Sequence, residues 1–200
     1  DVRHDGLLEL ASWIKDNNIT IYHSVASLFR TFAGIAANHR DTLDVRMVVF
    51  GGEKVLRSDV ELAREFFSKN VEFFTGLGST ETGTIRHFPI NNNTQLASKI
   101  VPIGYPVEGV SIELRNESGH LVENGEVGEI VVCSQYIALG YWNAPEITSR
   151  VFGVHPTNPQ LRTYRTGDLA RNLENDLLVH KGRSDFQVKI RGFRVELGEI

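Results

Sequence analysis

Apolar positions recur at helical spacing near the start of the chain. Leu7, Leu8, Ala11 and Ile14 share one face over residues 5–17, with Asp5 placed to cap the N-terminus and Asn17 and Asn18 marking the exit. A short β-rich run over 19–22 follows. Ser24 is then placed to cap a second helix whose Leu28, Phe29, Phe32 and Ile35 face one side. Residues 45–50 read as a buried strand running into Gly51, Gly52 and Glu53. The pattern Ser58-Asp-Val-Glu61 is a capping box that opens a third helix, with Leu62, Phe66 and Phe67 turned inward. A strand over 71–74 then ends at the glycine-rich turn GLGSTETG, residues 76–83. Helix and strand alternate to this point, which predicts an α/β layer on a parallel sheet. In such sheets ligands bind beyond the C-terminal ends of strands, where both glycine-rich turns fall.

From about residue 100 the texture changes. Strands over 110–115, 129–133 and 177–180 are separated by Asn, Gly and Glu turns, with hairpin chemistry at 116–119 and 123–125. This half reads as a β-rich subdomain, a distorted barrel packed on the α/β layer. A last alternating strand over 187–191 begins a further domain. No internal repeat or low-complexity tract interrupts the order.

Composition narrows the function classes. The 200 residues are 41% hydrophobic and 23% charged, ordinary for a soluble globular protein. A net charge of −4 gives no footprint for nucleic acid and no polybasic patch for a membrane, and no apolar run approaches the about 20 residues that span a bilayer. The single cysteine, Cys133, sits among Val131 and Val132 as a buried strand residue and fits a reducing, cytoplasmic setting. The histidines show no metal-site spacing. The chain begins with Asp1 and stops in mid-pattern at Ile200, and so reads as an excised fragment.

The densest chemistry lies in YRTGDL at 164–169 and GRSDFQVKIRGFRVELGEI at 182–200. Asp168 follows Gly167, where a ligand can approach closely, and a carboxylate can accept from two neighbouring hydroxyls such as those of a ribose. Arg183 offers a planar donor fork for hydroxyl or phosphate. In the 76–83 turn, hydroxyls and free backbone N–H groups suit a phosphate. Glu81 there is either the opening acid of a helix or a ligand for a hard cation such as Mg²⁺ that separates it from phosphate.

These motifs resemble the adenylate-forming enzymes: peptide-synthetase adenylation domains, acyl-CoA synthetases and firefly luciferase. The resemblance is clear from about Val45 onward. It implies that residues 1–100 are the C-terminal part of a nucleotide-binding α/β subdomain and 101–184 the β-rich subdomain of the same large domain. Residues 185–200 would be the hinge and first strand of a small, mobile C-terminal domain. ATP and Mg²⁺ are the implied cofactors, with Thr80 at the α-phosphate, Glu81 on the metal, and Asp168 and Arg183 on the ribose. Gly51, Gly52 and Glu53 would line the adenine through backbone, opposite Gly76, Leu77, Gly78 and Ser79. Leu77 departs from the family, which commonly stacks an aromatic ring on adenine there. His180 stands where the family often has an aromatic near the ribose. GEIVVCSQYIALGYW at 128–142 looks like the family's structural segment and is assigned to packing.

In the implied reaction a carboxylate attacks the α-phosphate of ATP to give an acyl-adenylate. The acyl group then passes to a phosphopantetheine thiol, with Asp185 as the hinge and Lys189 and Gly192 on the strand that turns toward the site. The phosphate loop that precedes these motifs in the family, and the lysine that follows them, are not in this stretch, which alone should catalyse little. The acyl pocket is expected at Tyr22, His23, Val48, Phe50, Gly76, Thr84 and Ile85, and the substrate, amino acid or other small carboxylate, stays open. The 187–200 run is closest to the peptide-synthetase form, which predicts a carrier domain as partner on the same polypeptide. An acyl-CoA synthetase or fatty-acyl-AMP ligase is the alternative, and a non-catalytic, scaffold-like relative the second.

Overall fold

The computed structural model describes residues 6–39, 43–67, 70–91, 93–173, 176–185, 187–190 and 193–196. They fall into two compact units. The first comprises the described residues of Asp1–Thr75, Pro89–Val101 and Lys189–Arg194; the second, those of Gly76–Phe88, Pro102–Val188 and Val195–Ile200.

In the first unit, α1 (Leu10–Asp16), β1 (Ile21–Ser24), α2 (Ala26–Ile35), β2 (Met47–Phe50), α3 (Arg57–Phe66) and the start of β3 (Glu72–Ser79) alternate as the pattern predicts. β1 pairs with β2 and β2 with β3, all parallel, with Tyr22 opposite Val48 and Phe50 opposite Thr75. The core is aromatic. Phe29 stacks on Phe67 at 5.6 Å and meets Phe66 edge-on at 5.8 Å, while Tyr22 stacks on Phe32 at 5.8 Å. Such pairs add about 0.5–1.5 kcal/mol each beyond area burial.

Helix starts differ from expectation. α1 begins at Leu10, leaving Leu8 76% exposed, and Asp5 lies outside the described residues. α2 begins after Val25; the Ser24 hydroxyl bonds the Val25 carbonyl instead of capping, and Ile35 turns outward. α3 starts two residues earlier than the Ser58 box predicts, with Leu56 at the N-cap. Asp59, 1% exposed, reaches back to the Leu56 N–H at 2.8 Å and holds Arg30 of α2 at 2.7 Å, whereas Glu61 pairs with Arg57 on the surface. The competing acid won because its other oxygen could tie two helices together.

The second unit is antiparallel. β6 (Val110–Arg115), β7 (Val127–Ser134), β9 (Arg162–Asn172) and β10 (Leu178–Arg183) form a sheet in the order β10-β9-β7-β6, with β8 (Phe152–Val154) also on β9 and α4 (Pro145–Val151) leading into β8. Leu77, Ile85, Ile130, Val132, Ile137, Phe152, Tyr164, Ala170 and Leu178 make its core. The glycine-rich segment is not a long turn. β3 continues to Ser79, the chain reverses over 80–82, and β4 (Gly83–Ile90) runs back to pair with β5 (Tyr105–Pro106). Gly78 explains the hairpin: a Cβ there would lie 2.4 Å from the Gly83 carbonyl oxygen, so only glycine admits the returning strand. β11 (Gln187–Ile190) and β12 (Phe193–Glu196) form a separate two-stranded pair.

Candidate functional site

The reversal between β3 and β4 places an acid in a fixed pose. The Thr82 N–H closes the turn onto the Ser79 carbonyl at 3.3 Å, and the Ala138 N–H holds the Glu81 carbonyl at 2.9 Å. The Glu81 side chain is buried, and its Oε1 accepts the Tyr141 hydroxyl at 2.7 Å, with the Tyr164 hydroxyl 3.3 Å from that of Tyr141. Burial pushes the carboxyl up, but hydrogen bonds from Tyr141, its own backbone N–H, Ser79 and Tyr164 outweigh it and hold Glu81 at about 2. It is a carboxylate at any physiological pH. Burial first, then Tyr164 and Glu81, drive the Tyr141 hydroxyl far above its ordinary range, so it remains a donor. Thr80 beside it is exposed.

The second acid sits on an irregularity of β9. Val131 pairs with Arg165 and Glu129 with Leu169, so three residues, 166–168, face the single residue Ile130. The lost ladder bonds are replaced: the Thr166 hydroxyl donates to the Ile130 carbonyl at 2.9 Å, and the Gly167 N–H to Glu129 Oε1 at 3.1 Å. Bulges of this kind re-aim side chains beside active sites. Here the result is a buried Asp168 whose Oδ1 takes His180 Nε2 at 3.0 Å and Arg183 Nη1 at 2.9 Å. Arg183 also forks onto Asp185, Nε to Oδ1 at 2.7 Å and Nη2 to Oδ2 at 2.6 Å, and reaches Gln187 at 3.1 Å. Burial alone would push Asp185 up, but Arg183 and the Gln187 N–H hold its carboxyl below the usual range. The two acids share a path, since Glu81 meets Tyr164 through Tyr141 and Tyr164 precedes Asp168 on β9.

The second unit thus presents a turn carrying Thr80 and an ionised acid, and a strand bulge carrying another acid under an arginine. The family model described as AMP-binding enzyme matches residues 2–142. The chain belongs to the AMP-binding enzyme family. Gramicidin S synthase 2 of Brevibacillus brevis is 36% identical over 191 residues, covering 96% of this chain and 4% of that protein. Among solved structures, IdnL1 aligns with a TM-score of 0.84 at 30% identity over 96% of this chain and 40% of the other. The artificially fused adenylation-PCP di-domain NpsA-ThdA from Klebsiella oxytoca gives 0.81 at 29% identity, over 96% and 35%. The chain thus spans well under half the length of each.

Within this family member the remaining expected site residues take varied positions. In the first unit His23 is exposed beside Gly51, which follows β2. The Glu53 carboxylate accepts the Ser27 N–H and, at 3.1 Å, the Ser27 hydroxyl, so it caps the N-terminus of α2. Tyr22, Val48 and Phe50 are buried in the aromatic core, where burial pushes the Tyr22 hydroxyl up to about 12. In the second unit Leu77 and Ile85 belong to the core, whereas Thr84 and Gly78 are exposed on the hairpin and Gly76 and Ser79 are half-buried. Lys189 lies on β11, and Gly192 falls outside the described residues.

Two contributors escaped sequence reading. Tyr141, assigned with its segment to packing, orients Glu81 from 60 positions away. Arg86, 1% exposed, donates to the Gly104 carbonyl at 2.8 Å and pairs with Asp176 at 3.4 Å. Neither has a local signature. Glu113, Cys133 and His155 also bring ligand atoms within 4.8 Å of one another. The Arg115 guanidinium already forks onto Glu113 at 2.6 and 2.8 Å, which makes this an ion-paired cluster.

Proposed function

We propose that the chain is part of an ATP-dependent adenylation domain that activates a small carboxylic or amino acid and passes the acyl group to a phosphopantetheine thiol. Peptide-synthetase relatives and adenylation-PCP neighbours support this reading and a carrier domain on the same polypeptide as the thiol's source. The observation that carries it is the pair of oriented acids in the second unit: Glu81 held ionised beside Thr80, and Asp168 gripped by His180 and Arg183.

An ionised carboxylate oriented by a tyrosine hydroxyl fits a hard divalent cation, so Glu81 would hold Mg²⁺, which supplies charge neutralisation at the phosphates. Asp168 would accept the ribose hydroxyls. Thr80 would donate to the α-phosphate as a substrate carboxylate oxygen attacks its phosphorus and the bond to pyrophosphate breaks. In the second unit Gly76 and Gly78 would offer backbone to the adenine. The thiol then attacks the acyl carbonyl and AMP leaves. Residues 185–200 would start the small domain, pivoting at Asp185 to bring Lys189 and Gly192 round for this step.

ATP–pyrophosphate exchange by the full-length protein across a panel of amino and other carboxylic acids tests the reading. Exchange with one acid, reduced at least a hundredfold in Glu81→Ala, is expected. No exchange with any acid would favour the scaffold-like alternative, and transfer to free coenzyme A in place of a carrier would favour the acyl-CoA synthetase.

A further inference from the structure

His180 stands where the family often has an aromatic near the ribose, yet both of its ring nitrogens are engaged by protein. Nδ1 accepts the Gly182 N–H at 3.1 Å and Nε2 lies 3.0 Å from Asp168 Oδ1. A backbone N–H can only donate, so Nδ1 must be bare and the ring proton of a neutral imidazole resides on Nε2. From there it donates to Asp168. The local fold makes the arrangement. His180 pairs with Ala170 and Gly182 with Leu169, so Lys181 is an extra residue on β10 that folds the Gly182 N–H back onto the ring. Gly182 has φ +116, a conformation that a side chain disfavours.

We infer that His180 is a positioning residue for Asp168: as the Nε2–H tautomer, locked by Gly182, it fixes the carboxylate that holds a ribose diol, and does not itself contact the nucleotide. The inference rests on the nucleotide reading above. His180 Nε2 and Arg183 Nη1 converge on one oxygen of Asp168, from two directions along β10. Two donors on a single oxygen fix the rotation of the carboxylate about its own bond, which one donor would leave loose. An aromatic hydrocarbon at 180 could pack there but could not do this. A glutamine could, through its amide N–H.

The test has two readouts. Imidazole ¹⁵N spectra of this chain should show His180 as the Nε2–H tautomer, with its signal moved in Asp168→Asn. In the full-length protein, His180→Phe should weaken AMP binding by about tenfold, or about 1.4 kcal/mol, and His180→Gln should recover it to within about threefold. A purely structural role would not be rescued by an N–H donor in particular. An Nδ1–H ring, or equal AMP affinity in the Phe and Gln variants while the wild type binds normally, overturns the inference alone. Failure of the wild type to bind AMP overturns the nucleotide reading and the inference with it.

Discussion

At the scale of residues, ionised acids held by specific donors dominate the second unit. Glu113 shows the consequence most simply. Burial pushes its carboxyl up, but Arg115, forked onto Oε2, and His155, 3.2 Å from Oε1, hold it below the usual range. Its proton is therefore bound more weakly in the folded than in the unfolded chain. The stabilisation is complete above the unfolded glutamate pKa of about 4.3 and is lost as pH falls through the lower folded value. The urea midpoint should drop as pH is lowered from about 5 to about 3, and Glu113→Gln should flatten that part of the profile; an unchanged slope would remove Glu113 from the acid response. Cys133 beside it is pushed up to about 11 by burial and by Glu113, so it stays a thiol. Its burial was legible from two flanking valines. Its ionic neighbours were not, because Glu113 comes from β6 and His155 from the residue that follows β8.

At the scale of elements, alternation of helix and strand was plain in the first 75 residues, since each core face repeats at its own period. What sequence could not resolve was where a strand ends. GLGSTETG carries too few side chains to show a two-residue period, so it read as a loop, yet five of its eight residues lie in β3 and β4. Glycine there serves close approach between backbones. Gly78→Ala should thus cost on the order of 2 kcal/mol, because the new Cβ meets backbone that must move. Urea unfolding of the variant measures it, and a cost under about 0.5 kcal/mol would mean that the hairpin opens freely. Helix caps were misjudged by a residue or two for a related reason: Asp59 and Glu53 bond groups at sequence distances of 29 and 26, which no local rule registers.

On the scale of the whole molecule, the sequence motifs at 76–83, 164–169 and 182–185 were legible because acids, glycines and arginine fall in fixed order. The side chains that orient them were hidden, being 12 to 60 positions away. Arg183 joins the proposed ribose acid to the proposed hinge acid. Replacing the hinge in the full-length protein, Asp185→Pro, should leave adenylate formation within about threefold and slow thioester formation at least tenfold. Rapid-quench assays of the two half-reactions separate them, and equal loss in both would count against a pivot at 185.

The three residues of β9 that stand opposite Ile130 carry a cost and a benefit together. Excising two of them would give a flush ladder in which Asp168 no longer sits on a bulge beneath His180 and Arg183.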